Sequence, residues 1–480
     1  MSADEPRLPP PARELELEGD ALRALLAAAT EHIVRYVGAL GEQPAADTEG
    51  SAELARSLAQ PTAPEAGRPY EDLLELVFGR VIEKGFGTAG PGYLAYIPGG
   101  GLPQAAVAEL VAAAVNRYVG VFAAGPGLAQ LEANALRWLC DFVGYPSEAR
   151  GTFTTGGSLA NFSATVTARE AKLGEDLSRG VAYASDQAHH SVEKATRLAG
   201  IPASRVRSIA TDARFRIRLE VLAEAIARDR AAGLAPFLVV GNAGTTNTGA
   251  VDDLEGLADL AARERLWLHV DGAYGALFAL TERGRRVVAG LARADSVTLD
   301  PHKGMFLPYG TGALLVREGE ALRRAHAGTG AYLPAVPEDG DLVDFSQYGP
   351  ELSRDWRGLR VWLPVMMHGV GAFRRALDEK LDLTHLATEA LRATPGVEIL
   401  AEPQLSCVAF RLARPGLDLA ATNALNRVVL ARVNARNRVH LTATDLRGAF
   451  AIRICVLSFR THADRVQMAI EDLRSVIAEV

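Results

Sequence analysis

Two short stretches hold the residues best suited to chemistry. Leu266-Trp267-Leu268-His269-Val270-Asp271 is an apolar run that closes on a carboxylate. Ser296-Val297-Thr298-Leu299 is a β-prone run broken by Asp300-Pro301 and followed by His302-Lys303-Gly304. An acid closing one strand and a lysine just past another predict a cofactor site at strand ends, with pyridoxal phosphate the cofactor expected. Lys303 would carry its aldehyde as a Schiff base. That needs a neutral amine, hence a pKa brought below the ordinary ~10.4 by burial or nearby positive charge. Asp271 would face the pyridine nitrogen and keep it protonated, so that the ring draws in electrons released at the substrate α-carbon. The small neighbours Gly272 and Ala273 would let a flat ring lie close. A lone aspartate more often caps a helix, and a lone lysine more often sits in solvent. Their spacing suits one strand–helix–strand crossover and favours the chemical reading.

Other stretches fit the same site. Thr154-Thr155-Gly156-Gly157-Ser158 precedes a helical pattern, and so offers hydroxyls and backbone N–H groups to a phosphate. Gly244-Thr245-Thr246-Asn247-Thr248-Gly249 is a second hydroxyl-rich turn after a strand. Neither dinucleotide nor nucleotide-triphosphate glycine motifs occur. Ser185-Asp186-Gln187-Ala188-His189-His190-Ser191 also follows a strand. His189 would stack on a cofactor ring, or the segment is simply a helix N-cap. Adjacent histidines on irregular chain are expected to point apart, and no third ligand lies at metal spacing, so no metal is expected.

The bulk numbers narrow the class. With 480 residues and 48% hydrophobic content, the chain can build a large core and more than one domain. A net charge of −7 argues against nucleic acid. Cys140, Cys407 and Cys455 are odd in number and far apart, which reads as buried thiols of a reducing compartment. Asp4, Glu5, Glu14, Glu16 and Glu18 among early prolines do not make a signal peptide. No apolar run approaches the ~20 residues that span a bilayer. A soluble, cytoplasmic protein without membrane partners is expected.

Met1–Pro11 is Pro-rich and expected to be mobile. Helical spacing follows at Leu22, Leu25, Leu26, Ala29, Ile33 and Val37, then again over Tyr70–Ile82. This front section has little strand and would make a poor core alone, so it reads as an arm that packs on something else. Pro91–Gly101, aromatic and glycine-rich, is an ordinary loop or one wall of a substrate pocket. Helices are predicted over Leu102–Tyr118 and Leu128–Phe142. From Gly151, strands near Phe153–Thr155, Val181–Ala184, Arg205–Ile209, Phe237–Asn242, Leu266–Asp271, Ser296–Leu299 and Ala313–Arg317 alternate with helices such as Leu159–Lys172, Leu219–Arg230 and Leu254–Arg265. Such alternation predicts an α/β domain, a parallel or mixed sheet covered on both faces, with ligands at strand carboxyl ends. Ala327–Pro350, long and poor in periodic pattern, reads as a functional lid or a disordered segment. Helix resumes over Val361–Leu386, and strands near Cys407–Leu412, Val439–Leu441 and Ala451–Val456 predict a smaller α+β domain.

Gly156-Gly157-Ser158, Asp186-Gln187-Ala188-His189, His269-Val270-Asp271-Gly272-Ala273-Tyr274 and Pro301-His302-Lys303 occur in one order. In this the chain resembles the group II pyridoxal-phosphate decarboxylases, and most of all their aromatic-L-amino-acid decarboxylase branch. The resemblance implies an aspartate-aminotransferase-like (fold type I) enzyme with a large, mostly parallel sheet domain and a smaller C-terminal α+β domain. Its parts would be an arm over residues 1–102, packing on a partner subunit, a cofactor domain over 103–377 and a small domain over 378–480. It implies a homodimer with the site shared between subunits, and decarboxylation of an L-amino acid. By the same resemblance Lys303 is the Schiff-base lysine, Asp271 the ring-nitrogen partner and His189 the stacking imidazole. Gly157, Ser158, Thr246, Asp300 and His302 would surround the phosphate, with Ala273 beside the ring. Animal relatives carry asparagine where Asp300 stands, and an acid beside a phosphate is repulsive unless protonated or paired.

Tyr332 matches the mobile-loop tyrosine that returns a proton to the α-carbon; relatives that form aldehydes carry phenylalanine there. Tyr96, Ile97, Pro98 and Gly99 would line the substrate wall, with Gly99 in place of the usual threonine. Tyr118 and Gly120 fall where residues face the neighbouring active site. Ser353 falls where plant relatives use serine for phenolic substrates and glycine for indolic ones, which points to tyrosine or a related phenolic acid. The alternatives are an aminotransferase, an aldehyde-forming oxidative deaminase, or a cofactor-binding protein that has lost activity. Arg354 and Arg453 are the candidate carboxylate ligands of an aminotransferase.

Overall fold

The computed structural model describes residues 13–328, 330–336, 339 and 342–480; the Met1–Pro11 segment lies outside them. The chain divides into two compact units, Met1–Gly87 and Thr88–Val480. The first carries helices over Gly19–Ala39, Ser51–Ser57 and Tyr70–Leu76, the last widening into a π-turn over Val77–Val81. Its only sheet among the described residues is a two-residue antiparallel pair, Ala46–Asp47 with Gly85–Phe86. Helical periodicity in this unit does not translate into burial. No residue of Gly19–Ala39 is buried, and Leu22, Leu26 and Ile33 face solvent.

The second unit is built on a seven-stranded mixed sheet. Its strands are β1 (Arg150–Thr154), β2 (Gly180–Ser185), β3 (Val206–Ile209), β4 (Ala235–Asn242), β5 (Trp267–Asp271), β6 (Ser296–Leu299) and β7 (Gly312–Val316). They lie in the order β1-β7-β6-β5-β4-β2-β3. Only β7 runs against its neighbours, so the carboxyl ends of the other strands share one edge. Side-chain alternation feeds two separate cores. Val181, Tyr183, Val239, Leu268 and Val270 join α1 (Pro103–Val115) and α2 (Pro126–Phe142) on one face. Ala182, Ala184, Leu238, Val240 and Trp267 join Ala160, Ala164 and Ala168 of α3 (Gly157–Leu173) on the other. The i, i+4 alanines on α3 let it lie close on the sheet, which matters because its first turn enters the site.

A four-stranded antiparallel sheet follows: β8 (Val397–Ala401), β9 (Cys407–Leu412), β10 (Thr442–Leu446) and β11 (Ala449–Cys455), in the order β8-β9-β11-β10. The strand predicted at Val439–Leu441 is displaced to Thr442–Leu446. Arg447 and Gly448, both at positive φ, close a two-residue hairpin that pairs Leu446 with Ala449 and so sets the register. His440 keeps only an isolated bridge to Tyr93. The helix over Gly358–Arg392 breaks at Gly369, whose φ of 70° and ψ of 155° leave the helical region.

All three cysteines are buried and unbridged. Cys407 and Cys455, far apart in sequence, face each other across β9 and β11. No helix among the described residues is long and apolar enough to cross a membrane.

Candidate active site

The shared strand edge gathers the residues that the sequence singled out. After β1 the chain turns into α3 at Gly157 and Ser158, and after β2 it reaches His189. Thr246 follows β4, Asp271 closes β5 with Ala273 beyond, and β6 runs into Asp300, His302 and Lys303. These nine residues line one cavity of about 290 Å³. A methyl group at Gly157 would lie 3.1 Å from Asp300 Oδ2 and 3.2 Å from Ala273 Cβ, so glycine keeps this end open.

His189 has both of the readings considered for it. It caps the helix α4 (His190–Leu198), its Nδ1 accepting from the Ser191 N–H at 3.3 Å, and its ring also lines the cavity. Contrary to expectation, the His189 and His190 rings do not point apart; their centroids are 4.2 Å apart. The cap holds one ring at the helix start while the next residue opens the first turn. Burial lowers the pKa of His189, and His190 and Lys303 lower it further, against the nearby Asp271 carboxylate. His302 donates its Nδ1–H to the Thr311 carbonyl at 2.8 Å, and burial lowers its pKa against the nearby Asp300 carboxylate.

Lys303 departs from the electrostatics expected of it. Burial favours its neutral amine, but Asp300, whose Oδ2 lies 2.7 Å from Nζ, together with Asp271 and Tyr309 outweighs burial, so the pKa is raised. Asp300 is thus the paired acid that its position beside a phosphate site requires. Its other oxygen, Oδ1, is buried without a hydrogen-bond partner. Replacing Asp300 with asparagine removes the nearest counter-charge and leaves burial opposed only by Asp271 and Tyr309. Cofactor capture needs the neutral amine and therefore accelerates as pH rises toward the Lys303 pKa. In Asp300→Asn that acceleration should occur at lower pH, read as the pH profile of cofactor uptake by stopped-flow absorbance. An unshifted profile would sink this account.

Tyr332 is 80% exposed and stands away from the cavity. The expected substrate wall also lies outside it. Gly99 packs on the loop that carries Lys303: a Cβ there would fall 2.3 Å from the His302 carbonyl oxygen, so a threonine needs the backbone to move. Tyr96, half-exposed at a φ of 50°, gives its carbonyl to Arg453 at 3.1 Å, and Ile97 is buried beside Pro98. Tyr118, Gly120 and the Leu352-Ser353 segment form a separate cluster. A Cβ at Gly120 would lie 2.2 Å from Leu352 O and 3.7 Å from Tyr118 Cε2.

Both candidate arginines for a substrate carboxylate are engaged elsewhere. Arg354 pairs with Glu132, which is fully buried, and lies over the Phe345 ring. Arg453 donates to the carbonyls of Asn247 at 2.8 Å and Thr246 at 2.5 Å, tying β11 to the turn after β4.

Sequence reading gave no role to Asn161, Ser191, Asn242 and Tyr274, which also line the cavity. For Asn161 a signal existed: it stands four residues after Gly157 on α3, hence on the same helix face.

The donors at the start of α3, the carboxylate of Asp271 and the buried amine of Lys303 on the same cavity fit a phosphorylated pyridine aldehyde. The pyridoxal-dependent decarboxylase conserved domain matches residues 53–413, and the chain belongs to that family. It is a pyridoxal-phosphate-dependent amino-acid decarboxylase of fold type I. The aromatic-L-amino-acid decarboxylase of Bacillus atrophaeus is 34% identical over 472 residues, covering 97% of each chain. The Oryza sativa protein TDC, solved with PLP and tryptamine, superimposes with a TM-score of 0.92 at 26% identity, over 97% of this chain and 99% of that one. A Rhodiola rosea 4-hydroxyphenylacetaldehyde synthase shares the fold, with a TM-score of 0.90 at 23% identity over 97% and 99%.

Proposed function

We propose that this chain decarboxylates an aromatic L-amino acid with a phenolic, tyrosine-like side chain, giving the amine and carbon dioxide. The observation that carries the reading is the convergence of Lys303, Asp271 and His189 on one cavity. Pyridoxal phosphate, when bound, supplies the sink for electrons released at the substrate α-carbon. Lys303 Nζ would hold its aldehyde, Asp271 would hold a proton at the ring nitrogen, and His189 and Ala273 would hold the ring. Gly157, Ser158, Thr246 and His302 hold the phosphate, with Asp300 neutralised by Lys303. Tyr332 returns the proton to the α-carbon from its own loop or that of a partner subunit. Tyr96, Ile97, Pro98, Gly99, Tyr118, Gly120 and Ser353 form the substrate wall, and the Ser353 hydroxyl selects a phenol.

Aromatic specificity draws support from the name of the Bacillus atrophaeus relative and from the tryptamine in the Oryza sativa structure. The commitment of Arg354 and Arg453 disfavours an aminotransferase.

A homodimer with a shared site is part of the proposal. Val107, Leu110, Val111 and Val115 make an exposed apolar stripe on α1, and Met366 and Met367 are likewise exposed. The first unit, which spans Met1–Gly87 of the proposed 1–102 arm, has the unburied helix expected of a segment that packs on a partner. The four-stranded antiparallel sheet and its own apolar cluster support a small domain over 378–480 beside the one over 103–377. A cytoplasmic location is consistent with three unbridged cysteines.

A panel of amino acids assayed for amine, carbon dioxide and hydrogen peroxide tests the reading. Tyrosine should give the highest kcat/KM for amine, without keto-acid dependence or peroxide. Preference for tryptophan would overturn the phenolic assignment, and preference for glutamate the aromatic one. Tyr332→Phe should divert product to aldehyde and peroxide; unchanged amine yield would remove Tyr332 from the proton step.

A further inference from the structure

Beneath Asp271 lies a row of buried polar side chains with no role in the reading above. Strand alternation puts Trp267, His269 and Asp271 of β5 on one sheet face, with Ser296 and Thr298 of β6 beside them in register. Asn161 of α3 covers the row. Trp267, His269, Asn161, Ser296, Thr298 and Ser191 are each no more than 4% exposed.

Their donors and acceptors permit one direction of hydrogen bonding. An indole N–H can only donate, so Trp267 Nε1 donates to Ser296 Oγ at 2.8 Å. The Ser296 hydroxyl hydrogen then faces His269 Nδ1, also at 2.8 Å. His269 Nε2 lies 3.0 Å from Asn161 Oδ1, which can only accept, so Nε2 carries the proton and Nδ1 accepts. Burial brings the His269 pKa down to about 4, leaving the neutral tautomer that this pattern requires. Thr298 Oγ1 also donates to Asn161 Oδ1, at 2.7 Å. With its oxygen so engaged, the Asn161 amide nitrogen faces Asp271 Oδ2 at 2.9 Å and Ser191 Oγ at 3.0 Å. The reverse amide orientation would set oxygen against carboxylate. Asp271 Oδ1 accepts the Ala273 N–H at 3.2 Å. On the second branch, His189 Nδ1 accepts from the Ser191 N–H, so the Ser191 hydroxyl 2.8 Å away donates to the same nitrogen and the proton stays on Nε2.

We propose that Trp267, Ser296, His269 and Asn161 are a one-way hydrogen-bond relay that holds Asp271 as an acceptor toward the cofactor's ring nitrogen and, through Ser191, sets the tautomer of His189. The four are positioning residues; none but Asn161 reaches the cavity. The relay rests on the assignment of Asp271 as ring-nitrogen partner. Its physical advantage is that a donor-only anchor, deep in the core, leaves no alternative proton arrangement that would turn Asp271 into a donor.

The test is the ring-nitrogen NMR shift of holoenzyme loaded with 15N-labelled pyridoxal phosphate, followed against pH. The wild-type nitrogen should stay protonated across the neutral range. Trp267→Phe, which removes the anchor, and Ser296→Ala, a smaller change that breaks the same link, should each let the nitrogen lose its proton at lower pH. Each should also reduce kcat by up to about tenfold, the upper scale of one neutral hydrogen bond, with KM little changed. If both relay variants keep the wild-type titration, the relay is overturned while Asp271 keeps its role. If the wild-type nitrogen is itself unprotonated, the role of Asp271 falls and the relay with it.

Discussion

Lys303→Ala should abolish covalent capture of pyridoxal phosphate. Purified variant protein should lack the visible absorption of the protonated imine, and borohydride should leave no cofactor attached. Decarboxylation should fall by roughly four orders of magnitude, because both the covalent anchor and the amine that exchanges with substrate are lost. The reason lies in placement: Lys303 is the lysine on the cavity wall, reached directly from β6 and held by Asp300 at 2.7 Å. Asp300 is almost fully buried, so the variant also leaves a carboxylate without its cation. Cofactor-free Lys303→Ala should therefore melt at a lower temperature than cofactor-free wild type. Retained imine absorbance after dialysis would overturn the cofactor assignment.

Asp271→Asn should separate binding from chemistry. Lys303 would still capture the cofactor, so the imine absorption persists. The amide cannot balance a protonated ring nitrogen, and the electron sink weakens; kcat should fall about a hundred- to a thousandfold. Asparagine is nearly isosteric, and its side-chain oxygen can still accept from the Asn161 amide, so the fold should survive. Single-turnover decay of substrate on the loaded variant measures the step directly. A kcat within tenfold of wild type would show that the ring nitrogen needs no charged partner here.

Much of this site was legible before any coordinates, because its residues sit where regular structure stops. Asp271 ends an apolar run, Asp300-Pro301 breaks another, and Gly156-Gly157 precedes a helix. Such breaks survive as local composition. Ser296–Leu299 and Cys407–Leu412 have the bounds their β-branched and apolar content implied. The misplaced Val439–Leu441 strand shows the limit, since its register is set by the Arg447-Gly448 turn that follows it and not by its own apolar residues. The relay was also partly visible. Trp267-x-His269-x-Asp271 and Ser296-x-Thr298 alternate with period two, but read as an apolar run their polar face went unnoticed.

The sequence by itself determined the strand–helix alternation and the cofactor class, and singled out Lys303, Asp271 and His189, which meet on one cavity. Those follow from residue type and local order, which a chain carries along its length. Tertiary structure alone decided that Asp300 raises rather than relieves the charge on Lys303, that Cys407 meets Cys455, and that Arg354 and Arg453 are already engaged. It also decided that Asn161 joins Asp271 to His189. Each of these is a distance between residues from different strands or helices, and electrostatics and hydrogen bonding act through distance in space, which spacing along the chain does not encode.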